Sequence, residues 1–85
     1  MKTPTSIRLD LQASAGYVRY SDNEIASTLD VWEDGQVAAD VDDAGAVVGI
    51  EVLGFDEAIL LHARNFAREH DLGFPRDLAS AITAA

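Results

Sequence analysis

The sequence predicts an α+β fold, an antiparallel β-meander of four to five strands followed by one long and one short C-terminal helix. Three observations carry this. Apolar residues alternate with polar ones through most of residues 7–55, turn-forming residues interrupt that alternation at short intervals, and the spacing changes to three and four residues after Gly54. The chain of 85 residues is read as a single small domain over 1–85, with a sheet region at 7–55 and a helical region at 56–85. A domain of this size buries only roughly 60% of its unfolded surface, so its core is thin.

Ile7, Leu9 and Leu11 alternate with Arg8 and Asp10 as a first strand, which ends in the small-residue turn Ala13-Ser14-Ala15-Gly16. Tyr17 to Tyr20 form a second. Ser21-Asp22-Asn23-Glu24 carries turn chemistry, and Ile25, Ser27, Leu29 and Val31 then alternate with Ala26, Thr28, Asp30 and Trp32 as a third. Asp34-Gly35 closes a tight hairpin, because glycine accepts the positive φ of a type I′ turn. The fourth and fifth strands form the clearest hairpin in the chain. Val37, Ala39 and Val41 share one face of the first arm, Val48, Ile50 and Val52 one face of the second, and Asp43-Ala44-Gly45 joins them.

Asp56 is placed to cap a helix with Glu57 in its first turn, and Phe55 to pack on Leu60 as a hydrophobic staple. Ile59, His62, Ala63, Phe66, Ala67 and His70 recur at helical spacing along one face. Arg64, Arg68 and His70 suit the negative end of the helix dipole, and Gly73 sits where a left-handed cap belongs, so the helix should end near Leu72. Pro75 opens a shorter helix with Leu78, Ala79 and Ile82 on its apolar edge.

Hydrophobic residues make up 48% of the chain, which is globular rather than disordered composition. Fifteen acidic residues against six basic ones give a net charge of -9, of which residues 1–55 contribute -7. Such a chain has no stripe of Lys and Arg to displace counterions from a phosphate backbone, so no nucleic-acid partner is expected. The charge serves either solubility or attraction of a basic protein or a cation. The absence of cysteine excludes disulfides, thiolate metal sites and cysteine nucleophiles, and fits a reducing compartment. Residues 1–11 lack a secretory apolar region and no apolar run approaches the ~18 residues of a membrane span, so a cytoplasmic protein without membrane attachment is expected.

The order Tyr17-Val18-Arg19-Tyr20, then Val41-Asp42-Asp43-Ala44-Gly45, then Val48-Gly49-Ile50-Glu51-Val52-Leu53 resembles the small bacterial family known as domain of unknown function 2283. The resemblance covers residues of about 7 to 55, and the segment after the acidic turn is its most specific piece. Gln12-Ala13-Ser14-Ala15-Gly16 departs from it, since relatives tend to carry an acidic loop there, and the C-terminal helices lie outside it. The resemblance implies an antiparallel sheet and supplies no catalytic residues. Through the pairing of some relatives with small toxin-like proteins, it also implies an antitoxin-like or regulatory role.

Asp40-x-Asp42-x-Ala44-Gly45 followed by Glu51 matches positions one, three, six and twelve of a calcium-binding loop. Its fifth position, Ala44, lacks a ligand oxygen, and the flanking segments are strands rather than helices. In a hairpin, Asp40 and Asp42 are expected on one exposed face with Glu51 across the ladder. Asp40, Asp42 and Asp43 are the weak metal candidates; a solvated acidic turn is the simpler reading. His62 and His70 stand ~12 Å apart on a helix, too far to share an ion, and each is read as a helix-face residue. Ser6, Ser14, Ser21, Ser27 and Ser80 lie outside any nucleophile elbow. Carboxylate acid-base chemistry needs one desolvated member, which a thin domain hardly provides. No catalytic residue and no cofactor is therefore expected.

Tyr17, Tyr20 and Trp32 serve either cross-strand packing or an exposed patch that anchors a partner. A helix covers one face of the sheet, leaving a second face to which Val47, Leu53 and Trp32 are assigned, either wet or covered by another chain. A homodimer is the expected assembly. These features favour a non-enzymatic interaction or regulatory module for another protein, with a basic one as the expected partner; the alternative is a small-ligand or divalent-cation-binding protein at the acidic turn.

Overall fold

The computed structural model describes residues 1–75. Five strands, β1 (Ser6–Asp10), β2 (Ala15–Arg19), β3 (Ser27–Trp32), β4 (Val37–Val41) and β5 (Val47–Leu53), form one antiparallel sheet, and helix α1 (Glu57–Glu69) follows. The fold class is α+β as expected. The shorter helix opened by Pro75, with Leu78, Ala79 and Ile82, falls outside the described residues apart from Pro75 itself.

The sheet is not a simple meander. Its order is β1-β2-β5-β4-β3, a Greek-key arrangement in which β5, not β3, lies beside β2. The hairpins β1-β2, β3-β4 and β4-β5 are all present; the chain leaves the sheet after Tyr20 and re-enters at the far edge. Its physical reason lies in the sequences of the two candidates for the central position. β5 is buried at five of its seven positions, as a strand with neighbours on both sides must be, whereas β3 carries Ser27, Thr28 and Asp30 and is exposed at its first four. Tyr20 N–H donates to Val48 O (2.7 Å) at the exit and Ala26 N–H to Val41 O (2.8 Å) at the return, so the crossover passes over the end of the sheet beside the β4-β5 turn.

Register assigns the two faces, because directly paired residues share a side. One row across all five strands runs Ile7, Val18, Ile50, Ala39, Leu29. The next runs Arg8, Tyr17, Glu51, Ala38, Asp30 on the opposite side. Helix α1 packs Ile59, Leu60, Ala63 and Ala67 onto the apolar side, in one core with Val18, Tyr20, Val37, Ile50 and Val52. Val47 belongs to this core and Trp32 packs against it, which corrects their assignment to the far face; Leu53 does stay exposed. The helix shields only the centre of the sheet, so Ile7 and Leu29 at the two ends of the apolar row are each 47% exposed.

The helix begins as expected, with the Asp56 carboxylate accepting the Ile59 N–H at 2.9 Å. Its end differs. His70 is the C-cap and Asp71, at φ 57°, takes the left-handed position predicted for Gly73. Leu72 N–H donates to Ala67 O and Asp71 N–H to Arg68 O, the two bonds of a Schellman motif, and Leu72 then enters the core. Burial of Leu72 two residues after the cap fixes the end of the helix, and aspartate tolerates that conformation. Gly73 instead meets the N-terminal segment: its N–H donates to Lys2 O (2.8 Å), and an added Cβ would lie 3.3 Å from that oxygen.

The Asp34-Gly35 turn has φ of 54° and 85° and a Gln36 N–H to Glu33 O bond, as a type I′ turn requires. Asp43-Ala44-Gly45 is a three-residue loop with Gly45 at φ 84°. The first hairpin turns at Leu11 to Ser14, slightly earlier than expected, because Ala15 and Gly16 pair with Asp10 and Leu9. None of the helices among the described residues is long and apolar enough to cross a membrane.

Candidate functional site

The three acidic residues singled out by spacing have three different environments. Asp42 ends the β4 arm of its hairpin, and its carboxylate accepts the N–H groups of Ala44 (3.0 Å) and Ala46 (2.9 Å) together with the amide of Asn23 (2.9 Å). Aspartate suits this position because its short side chain reaches the backbone two residues on. Its partners rank by effect: the Ala46 N–H first and the Asn23 amide next hold the carboxyl below the usual carboxylate range. Only 9% of Asp42 is exposed, so it does not share an open face with Asp40 as the hairpin geometry suggested; the β-bulge between Asp40 and Val41 turns it away.

Asp40 points to the face opposite the helix. It accepts Tyr17 Oη at 2.8 Å and Thr28 Oγ1 at 2.6 Å, so one carboxylate ties β2, β4 and β3 together. The Tyr17 ring reaches it by crossing β5 at Gly49, where a Cβ would lie 2.1 Å from the phenol oxygen. Gly49 is thus a position of close approach. Burial, and then the hydrogen bond to Asp40, push the Tyr17 phenol well above its ordinary value. Asp43 is exposed in the loop, and Glu51 lies in the row of Tyr17 and Ala38. Among the described residues no three histidine or carboxylate side chains are grouped as a metal ion needs. Three of the Asp42 carboxylate's acceptor positions are taken by hydrogen bonds that close the turn and anchor the crossover.

The histidines lie against aromatics. His62 stacks on Trp32 with ring centres 4.1 Å apart and planes 14° apart, and His70 tilts over Phe66 at 4.3 Å. Tyr20 is buried in the core and donates to Gly73 O at 2.9 Å; burial pushes its phenol up to about 12. All three weighed aromatics therefore pack within the fold rather than form one exposed patch.

What the acidic turn does build is a groove. The crossover residues Asn23, Glu24, Ile25 and Ala26 face Asp42, Asp43 and Ala44 across an open depression of about 600 Å³. Arg19 holds the crossover in place, donating from Nε to Ser21 O (2.7 Å) and from Nη2 to Asn23 O (3.4 Å), and Asn23 passes that order on to Asp42. Glu24 and Asp43 are exposed on the two walls, and Ile25, next to Glu24, is 43% exposed. Sequence reasoning missed Asn23, Arg19 and Gly49. The last had a signal, since a glycine inside a strand marks close approach of another group; Arg19 and Asn23 had none, because their roles depend on the crossover.

A family model described as Protein of unknown function (DUF2283) matches residues 7–55, which takes in the sheet, the crossover and the groove and stops before the helix. No curated protein and no solved structure matches the chain.

Proposed function

The chain belongs to this family, and from that premise we propose that it is a non-enzymatic interaction module that docks a basic partner protein in the groove between residues 23–26 and the β4-β5 loop. The observation that carries the reading is the pairing of free acids with one apolar anchor. Glu24 and Asp43 stand on opposite walls and the half-exposed Ile25 lines the same groove, which suits a partner segment bearing an apolar side chain flanked by Lys or Arg. The net charge of -9 supports it by steering cationic partners to the surface. An open depression of mixed acidic and apolar lining is better matched to a protein segment than to a small molecule, which needs a deep and mostly apolar cavity. A small basic protein, in an antitoxin-like or regulatory pairing, is the partner class this chemistry favours.

Capture from the native host tests the reading. The unmodified chain should retain a stoichiometric basic protein in a salt-sensitive manner, and Glu24→Lys combined with Asp43→Lys should release it. Asp40 and Asp42 are unsuited to charge reversal, because both hold the fold together. A partner that survives the double reversal unchanged, or no partner at all, would overturn the reading.

A further inference from the structure

We propose that β1 is the interface of a symmetric dimer, pairing antiparallel with β1 of a second copy about a two-fold axis through Leu9. The proposal concerns a different strand from the groove and does not depend on it.

Among the described residues the two edges of the sheet are β1 and β3. An open edge pairs with another chain unless something blunts it. β3 is blunted: its register breaks between Asp30 and Trp32, the Asp30 carboxylate accepts the Gly35 N–H (3.0 Å), and Thr28 donates its hydroxyl to Asp40. β1 keeps an unbroken register with β2 from Ser6 to Asp10.

Backbone groups of successive strand residues alternate between neighbours, which identifies the residues of β1 that face outward. Tyr20 N–H bonds to Val48 O, so Tyr20, Val18 and Gly16 turn toward β5, and Arg19, Tyr17 and Ala15 turn toward β1. The Arg19 carbonyl, which accepts the Thr5 N–H at 2.7 Å, does turn toward β1, while Thr5, just before the strand, departs from the alternation. Arg8 and Asp10, the partners of Tyr17 and Ala15, therefore spend their main-chain groups on β2, while Ile7 and Leu9 present theirs at the edge.

The side chains then select the register. Centring the two-fold on Arg8 sets Arg8 against Arg8, and centring it on Asp10 sets like carboxylates together; both are unfavourable. Centring it on Leu9 lets the two Leu9 residues exchange both main-chain bonds and places Arg8 opposite Asp10 of the second copy, twice. On the helix side it sets the two Leu9 side chains against each other, flanked by Ile7, which is 47% exposed. Residues 8–10 are thus charge-complementary to their own reverse. Arg8 has no side-chain hydrogen bond or ion pair among the described residues, so it is available. An isologous contact of this kind closes on itself and joins two five-stranded sheets into one of ten strands.

Native mass and sedimentation on the full chain should give a dimer. Arg8→Asp alone and Asp10→Arg alone should each weaken it roughly tenfold, since two attractive contacts become repulsive. The decisive step is to mix the two variants. Each heterodimer then carries two restored opposite-charge contacts, so a 1:1 heterodimer should dominate over either homodimer, with far-UV circular dichroism unchanged throughout. Leu29→Lys, at the other edge, should leave the dimer intact. A monomeric native chain, single variants that dimerise as well as the original, a mixture with no preference for the heterodimer, or loss of the dimer on Leu29→Lys would each overturn the proposal.

Discussion

The two faces of the sheet are held by different kinds of interaction, and β5 shows this in adjacent residues. Ile50 points toward the helix, fully buried among aliphatic side chains, while Gly49 points the other way, beneath the ring of Tyr17. The helix side is generic: it needs apolar volume, and several combinations of Val, Ile and Leu would supply it. The open side is specific, because Tyr17, Gly49, Asp40 and Thr28 work as one unit across four strands. One face supplies most of the burial, and the other fixes which strands lie side by side.

The largest effect should come from the helix side. Ile50→Ala removes three carbons from the centre of the core and should cost about 2–5 kcal/mol, depending on how far the site collapses. Urea unfolding at unchanged slope measures it, and a loss below about 1 kcal/mol would mean that the helix is not packed where the structure places it.

Gly49→Ala sharpens the comparison on the opposite face. A methyl group there collides with the Tyr17 phenol, so the ring must leave Asp40, at an expected cost of about 1–3 kcal/mol. The same substitution made with Tyr17→Ser should be neutral or stabilising by about 0.5–1 kcal/mol, because alanine then only removes the conformational freedom of glycine. That reversal of sign is the signature of a unit. Equal losses in both backgrounds would show that glycine is needed there for some other reason.

Tyr17→Phe keeps the ring over Gly49 and deletes one hydrogen bond, for an expected cost of about 1 kcal/mol at neutral pH. Its pH dependence separates the two faces further. The phenols of Tyr17 and Tyr20 are both raised above the ordinary value of 10.0, so the native state holds protons that the unfolded chain gives up. Their contribution is fully present below about 10 and is lost as the pH rises through that value toward the folded ones. Alkaline unfolding should therefore begin above about pH 10 and be shallower in Tyr17→Phe and in Tyr20→Phe than in the native chain. The Asp42 carboxyl works in the other direction: held low, it stabilises above the ordinary carboxylate range, and that share is lost as the pH falls through its folded value. Asp42→Asn should flatten the acid limb only.

The same contrast explains what could be read from the chain. Helix-side residues announced themselves by periodicity, because alternation at Val37, Ala39 and Val41 and helical spacing at Ile59, Ala63 and Ala67 follow from burial alone. The turns at Gly35 and Gly45 were equally plain, since each needs a positive φ. Strand order was not. Consecutive strands are neighbours more often than not, and nothing local distinguishes a crossover of six residues from a turn; it is the hydrogen bond from Asn23 to Asp42, nineteen residues on, that ties this one to the β4-β5 turn. The acidic turn misled for a related reason. Asp40 and Asp42 look alike in sequence, yet one bulge sends the first to the open face and the second into the turn. Side chains whose partners lie 12 to 23 residues away, as those of Thr28, Asn23 and Tyr17 do, leave no local pattern.

The smallest effect is the one that could break the comparison. Leu53 lies on the open side, 46% exposed at the end of β5, opposite Ala15. If that face is held only by its polar unit, replacing Leu53 with threonine, which keeps strand propensity, should shift stability by no more than about 0.5 kcal/mol. The same variant should leave the dimer mass unchanged, since β2 separates Leu53 from the edge strand β1. A loss above about 1 kcal/mol, measured at a concentration where the chain is monomeric, would mean that apolar burial operates on both faces, and the division between a generic and a specific side would fall.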